Sequence, residues 1–445
     1  MNLPEPFVRR TQELLGDEFP DFLDALDIPS PVSVRVNDKT VYVPSDDKVK
    51  WCDSGYYLSG RPVFTLDPLF HAGVYYVQEA SSMFLQQALS QFVAPDGVVL
   101  DLCAAPGGKS TLISQYLKSG GMLVSNEIVR SRAFILAENL IKWGNDAVVV
   151  SNNVPADFQR LPSFFDAVVV DAPCSGEGMF RKDAGAVDEW SEQNVEMCAQ
   201  RQRDILLDVW DTLKKDGILI YSTCTYNREE NEKNVSWIET ALGAEIQRID
   251  TAAFPQITVS DKGYRFFPQK TRGEGFFLSV LRKTSDAPSL RMKKQEKRKL
   301  KPEFDETELK NRLKEPGDWK IYSDNNFISA FRLKFSTEVE LLKNNLHIMH
   351  YGITLCEIKG RDLIPHTSLA LSKSINTEKI QQAEVELRDA LLYLKKEAIS
   401  LPDAEKGFIL VKYRNIPLGW VKNIGNRTNN LYPNEWRIRM NIPAP

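Results

Sequence analysis

From about Gly73 to Lys283 the chain repeats one pattern: a short apolar run rich in β-branched residues, then a stretch with helical spacing. The runs are Val98–Leu102, Met122–Ser125, Ala147–Val150, Ala167–Val170 and Ile218–Tyr221, with Phe276–Leu281 as a last member. None alternates apolar with polar residues, so each is expected to be covered on both faces. Strands of that kind, alternating with helices, predict a parallel α/β sheet. The spacing predicts one helix from near Ser110 and another over 130–143, closed by Gly144. Asn227 followed by Glu230 has capping-box spacing and is expected to open a further helix.

The ends of these runs carry the chemistry. The first breaks into Asp101-Leu102-Cys103-Ala104-Ala105-Pro106-Gly107-Gly108-Lys109-Ser110. Small residues let a ligand approach the backbone, and a helix starting just beyond offers free N–H groups to a carboxylate or phosphate. A phosphate-binding P-loop needs Gly five residues before Gly108, where Cys103 stands, and no Gly-x-Gly-x-x-Gly is present. Glu127, ending the second run, can accept from both hydroxyls of a ribose. A ribose contact plus a carboxylate at the loop describes S-adenosylmethionine. Two further run ends, Asp171-Ala172-Pro173-Cys174-Ser175-Gly176 and Ser222-Thr223-Cys224-Thr225, each present a cysteine. A cofactor loop and two strand-end cysteines suggest covalent chemistry on an electrophilic ring. The residues alone leave open which cysteine is the nucleophile. Cys52, Cys198 and Cys356 are expected to be small buried residues, and Trp143, Trp190 and Trp210 to be core.

These three segments, with Glu177-Gly178 continuing the second, resemble in their order the Nop/Sun family of RNA cytosine-5 methyltransferases over about residues 30–283. Met179-Phe180-Arg181-Lys182-Asp183, Gly419-Trp420-Val421-Lys422 and Asn430-Leu431-Tyr432-Pro433 resemble its bacterial RsmF-type branch. The resemblance implies an α/β fold: a Rossmann-like class I methyltransferase core, a small α+β N-terminal domain, and C-terminal α/β and PUA-like β-barrel modules. It implies S-adenosylmethionine on Cys103, Ala104, Ala105, Pro106, Gly107, Gly108, Lys109, Glu127, Arg132 and Asp171. It makes Cys224 the nucleophile toward carbon 6 of cytosine and Cys174 the residue that assists product release. Asp171 is then placed to hydrogen-bond the cytosine's exocyclic amine or, if protonated, its ring nitrogen. Lys109 is expected to orient the base or the cofactor. The branch implies 16S rRNA near the decoding centre, presented as a subunit or assembly intermediate. The rival readings are a tRNA cytosine-5 methyltransferase and an RNA-binding assembly factor with vestigial activity. In one departure, many family members carry Asp two residues after the Asn152 position. Val154 stands there, and Asn152 or Asn153 is expected at the adenine instead.

At 445 residues the chain is expected to hold about two to four domains. The expected division is an N-terminal RNA-binding or accessory domain over 1–75, the methyltransferase domain over 76–285, a basic linker over 286–310, an α/β module over 311–400 and the PUA-like module over 401–445. Residues 1–285 carry 28 Lys and Arg against 39 Asp and Glu, whereas residues 286–445 carry 28 against 21. A basic third on an acidic body suggests an appended module that meets phosphate. The candidate RNA contacts are Arg181, Lys182, the basic run 291–301, Lys412, Arg414, Lys422, Arg427, Arg437 and Arg439; the alternative is solvated surface charge. No apolar run approaches the ~18–20 residues of a membrane span, and the start lacks the pattern of a secretory signal. Six cysteines form no disulfide framework and fit a reducing cytoplasm, and the four histidines show no zinc spacing. A cytoplasmic monomer with RNA as partner, no membrane and no metal is expected.

Overall fold

The computed structural model describes residues 2–286, 288 and 304–442. The basic run 291–301 lies outside the described residues. Every apolar run named above is a strand of one central sheet. Its order is Thr258–Val259, Tyr264–Phe266, Phe276–Lys283, Leu213–Thr223, Phe165–Asp171, Val98–Asp101, Met122–Asn126, Val148–Ser151, Ile348–Tyr351. From Leu213–Thr223 to Val148–Ser151 all neighbours are parallel, and Phe276–Lys283 runs antiparallel to Leu213–Thr223.

Alternate residues of each run enter opposite cores, which is why none alternates with polar positions. Val99, Leu123, Val150, Val169 and Ile220 face Leu112, Ile113, Leu136 and Leu140. Leu100, Val124, Val149, Val170 and Tyr221 face Leu206, Val209 and Trp210. Each such side chain contributes about 1.5–3 kcal/mol by leaving water. The parallel register puts Asp101, Asn126, Ser151, Asp171 and Thr223 at one edge of the sheet. Strand order reverses between Val98–Asp101 and Phe165–Asp171, and ligands bind in the crevice outside such a reversal.

The helices Glu5–Leu15 and Phe19–Asp27 back the cysteine-bearing loops rather than standing apart. Phe7 lies 5.0 Å from Phe180 and Phe22 lies 5.1 Å from Tyr226, ring to ring. The three-stranded sheet Gly55–Leu58, Val32–Val36, Tyr75–Val77 follows. Its middle strand is buried on both faces after Val32, although Ser33-Val34-Arg35-Val36 alternates polar with apolar residues. Arg35 on it is fully buried, donates to Gln78 at 2.9 Å and stacks on Trp143 at 4.4 Å.

The C-terminal third packs closely against the rest of the chain. Ile348–Tyr351 extends the central sheet beside Val148–Ser151. A four-stranded sheet, Trp319–Asp324, Phe327–Arg332, Ile353–Lys359 and Asp362–Pro365, precedes and follows it in the chain. The last sheet, Gln382–Glu384, Gly407–Tyr413, Ile416–Asn423 and Thr428–Asn430, takes in residues upstream of the expected boundary at 401. Its Ile409, Val421 and Tyr432 share one core with Val34, Tyr56 and Tyr75 of the N-terminal sheet. Among the described residues no helix is long and apolar enough to cross a membrane.

Candidate active site

The helix after the first loop begins at Gly108, two residues before Ser110. Gly107 holds φ 113°, a conformation side chains rarely adopt, and an added Cβ would press on Leu136 at 3.2 Å. The loop is pinned from outside: Arg132 donates to the Ala105 carbonyl at 2.8 Å and lies 3.5 Å from Glu127. Glu127 is buried and accepts from the Val129 N–H at 2.9 Å. Asp101 is buried, accepts from the Ser110 hydroxyl at 2.6 Å and leaves Oδ1 without a partner. Burial, with Asp171 and Glu127 adding to it, pushes the Asp101 carboxyl up to about 7.

Asn152 and Asn153, one of which is expected at the adenine, both donate their side-chain amides within the chain. Asn152 donates to the carbonyls of Glu127 and Ile128 at 2.7 and 2.9 Å. Asn153 donates to Asp157 at 3.0 Å and accepts from the His347 N–H at 3.0 Å. Beside them Ile128 and Val154 are 56% and 45% exposed, two apolar side chains where a flat ring can lie.

Across the crevice, Lys109 Nζ sits 2.7 Å from Asp171 Oδ2, and the Ser222 hydroxyl donates to Oδ1 at 2.9 Å. Burial pulls the Lys109 ammonium down, but the charges of Asp171, Asp101 and Cys224 outweigh it and raise it above its ordinary value. Cys174 and Cys224, both free, meet with Sγ atoms 3.0 Å apart. The Cys224 N–H lies 3.4 Å from Cys174 Sγ. The Cys174 thiol is driven well above its usual range, first by its hydrogen bond with Cys224, then by burial and by the charges of Cys224 and Glu230.

Two buried glutamates, Glu230 read from the sequence only as a capping residue and Glu177 only as part of a motif, set this meeting. Glu177, three residues after Cys174, accepts from the Thr225 hydroxyl at 2.6 Å and the N–H groups of Tyr226 and Asn227 at 2.8 and 2.9 Å. It also accepts from the Trp190 indole at 3.0 Å. Glu230, six residues after Cys224, accepts from the Ser175 N–H at 3.0 Å and from Gln202 at 2.7 Å. Each carboxylate belongs to one cysteine's loop and binds the other's, so the pair fixes the distance between the thiols. The Asn227–Glu230 pairing does form, with the Glu230 N–H donating to Asn227 at 2.8 Å. It closes a turn, however; the helix begins at Glu232. A carboxylate shortly after each motif cysteine was the available signal.

Arg181 requires correction as an RNA contact. Its side chain is 6% exposed and donates to Glu274 at 3.0 Å, the Gly273 carbonyl at 2.7 Å and the Ala25 carbonyl at 3.1 Å. Lys182 is exposed and lies 3.4 Å from the same Glu274. Lys422 lies 3.6 Å from Asp362. Arg414, Arg427, Arg437 and Arg439 are exposed and Lys412 is half-buried. Cys52, Cys198 and Cys356 are buried, as are Trp143, Trp190 and Trp210.

Comparison with known proteins places this geometry. Residues 91–282 match the family described as 16S rRNA methyltransferase RsmB/F. Residues 3–80 match the N-terminal domain of 16S rRNA methyltransferase RsmF, and residues 381–438 the methyltransferase RsmF PUA domain. The ribosomal RNA small subunit methyltransferase F of Erwinia tasmaniensis is 31% identical over 478 residues, spanning 97% of this chain and 96% of that protein. The chain belongs to the ribosomal RNA small subunit methyltransferase F family. The Pectobacterium atrosepticum member is 34% identical over 318 residues, which span 65% of this chain and 64% of that protein. The crystal structure of a methyltransferase homolog protein from Pyrococcus horikoshii superposes with a TM-score of 0.55 at 26% identity. It covers 63% of this chain and 95% of that one. The resemblance read from the motifs, the Rossmann-like core and the PUA domain are thereby borne out.

Proposed function

We propose that the protein methylates carbon 5 of a cytosine in 16S rRNA near the decoding centre, using S-adenosylmethionine and a covalent adduct with Cys224. The observation that carries this reading is the pair of free thiols 3.0 Å apart, flanked by the Lys109–Asp171 pair. The likeness to 16S rRNA methyltransferases supports the rRNA substrate.

The loop residues fit the cofactor. Cys103 to Lys109 offer close backbone approach and a helix N-terminus for its carboxylate. The unpartnered Asp101 Oδ1 suits its ammonium, Glu127 its ribose, and Ile128 with Val154 its adenine faces. When bound, S-adenosylmethionine supplies an electrophilic methyl group on a sulfonium.

Carbon 5 of cytosine is a poor nucleophile. Addition of the Cys224 thiolate to carbon 6 makes it enamine-like, splitting one hard step into easier ones. The surrounding charges favour this division of labour. The hydrogen bond with Cys224, burial and the charge of Glu230 all disfavour the anion of Cys174. Breakdown of the adduct passes the carbon-5 proton to water and returns the carbon–sulfur electron pair to Cys224 as thiolate, and Cys174, a thiol 3.0 Å from that sulfur, is placed to hydrogen-bond it as it leaves. Asp171, held by Lys109 and Ser222 as an acceptor, suits the cytosine's exocyclic amine rather than its ring nitrogen.

The test is transfer of labelled methyl to unmodified small ribosomal subunits, naked rRNA and total tRNA, with the product base identified by mass spectrometry. 5-Methylcytosine in the ribosomal samples is expected. Label only in tRNA overturns the substrate, and no label with cofactor bound favours an assembly factor.

A further inference from the structure

A groove of about 780 Å³ opens on the N-terminal sheet, within the ~300–1,000 Å³ typical of ligand pockets. Its walls are aromatic. The rings of Tyr42 and Tyr75 lie parallel at 5.7 Å, and Phe64 stands 6.1 Å from Tyr75. Two arginines edge it: Arg272 lies 4.0 Å over the Tyr57 ring and Arg61 5.6 Å from Phe64. Two of its carboxylates are already answered. Asp67 accepts from the Tyr75 hydroxyl at 2.6 Å, and Asp47 pairs with Arg272 at 2.6 Å. Asp46 remains exposed on the rim, an acceptor for a base amine.

The groove is continuous with the active site through the chain itself. Arg272 leads directly into Gly273, Glu274 and Gly275. An added Cβ on Gly178 would meet the Gly275 carbonyl at 2.6 Å and the Cys224 carbonyl at 2.9 Å. The segment that carries Arg272 to the groove is thus packed against the Cys174 and Cys224 loops.

A cytosine inside a helix hides the faces of carbons 5 and 6, so the target must be unpaired and its neighbours held as a single strand. Aromatic platforms interleaved with arginine are what hold single strands without reading sequence. We infer that this groove binds nucleotides of the substrate RNA flanking the target cytosine, their bases stacked on Tyr42 and Phe64 and their phosphates at Arg61 and Arg272. The inference rests on the RNA reading above.

It is tested on the full-length protein with Tyr42→Ala/Phe64→Ala together, and separately with Arg61→Glu. The wild type runs in parallel on its preferred rRNA substrate. Loss of a stacking platform is expected to raise KM for RNA roughly tenfold, with kcat within about twofold and cofactor affinity unchanged. Arg61→Glu, on an exposed side chain outside the core, is expected to lower the salt slope of RNA binding by about one. RNA carrying 4-thiouridine beside the target is expected to crosslink to the groove. Unchanged KM and salt slope, with methylation by the wild type intact, overturn the groove alone. Crosslinks from the flanking 4-thiouridine to the enzyme that fall outside the groove also overturn it. Failure of the wild type to methylate any RNA removes the reading beneath it.

Discussion

Asp101 is an acid that the fold holds away from its charged form. Its carboxyl rises from 3.8 to about 7 by burial, so the folded state binds its proton more tightly than the unfolded chain does. Its ionisation therefore costs stability as pH rises from about 4 to about 7, at about 1.4 kcal/mol per unit of separation. Asp101→Asn is expected to raise Tm at pH 8 and leave it nearly unchanged at pH 4. Calorimetry of cofactor binding should show affinity rising through pH 7 in the wild type and a weak, flat profile in the variant. Equal pH profiles would remove Asp101 from the cofactor's ammonium. Glu177 acts differently, since its carboxylate answers donors from the loop of the other cysteine. Glu177→Ala strands several buried donors and is expected to lower stability by about 3 kcal/mol, read by urea unfolding. The motif cysteines, Asp171 and Glu127 stood out because local pattern places them at or just past strand ends, and Lys109 because it follows the Gly-rich loop. Glu177 and Glu230 did not, because their partners come from a loop about 50 positions away in the chain.

Elements were legible wherever period and punctuation are local. The helix Arg130–Trp143 ends as Gly144 dictates, at φ 83°. The apolar runs became strands because each could bury both faces. The Asn227–Glu230 spacing misled because the Glu230 side chain is drawn to Ser175. Arg181 misled for a similar reason: beside Lys182 it reads as a surface cation, yet its partners are Ala25, Gly273 and Glu274. Arg181→Ala leaves Glu274 buried and short of a partner, a change that costs about 3–5 kcal/mol, and should loosen the N-terminal helices. Thermal unfolding and limited proteolysis would report this. The salt slope of RNA binding is expected to stay unchanged, whereas a slope lowered by about one would restore Arg181 as a phosphate contact.

For the whole molecule, the charge asymmetry between the two parts of the chain suggested an appended basic module that meets phosphate, and composition carries no information about which cores are shared. Ile409, Val421 and Tyr432 complete the core of the N-terminal sheet. Deleting residues 405–445 removes several side chains worth about 1.5–3 kcal/mol each, a large part of a typical 5–15 kcal/mol stability. The truncated protein is expected to lose several degrees or more of Tm, with RNA and cofactor binding both impaired. An unchanged Tm with only RNA binding lost would mean that the tail is a separate module after all. The most direct test of the proposed chemistry is the yield of an enzyme–RNA adduct that survives denaturing electrophoresis, with cofactor and unmodified 16S rRNA present. Cys174→Ala is expected to accumulate the adduct and Cys224→Ala to form none. A stable adduct with Cys224→Ala, or normal turnover by Cys174→Ala, would contradict the assignment of the two thiols.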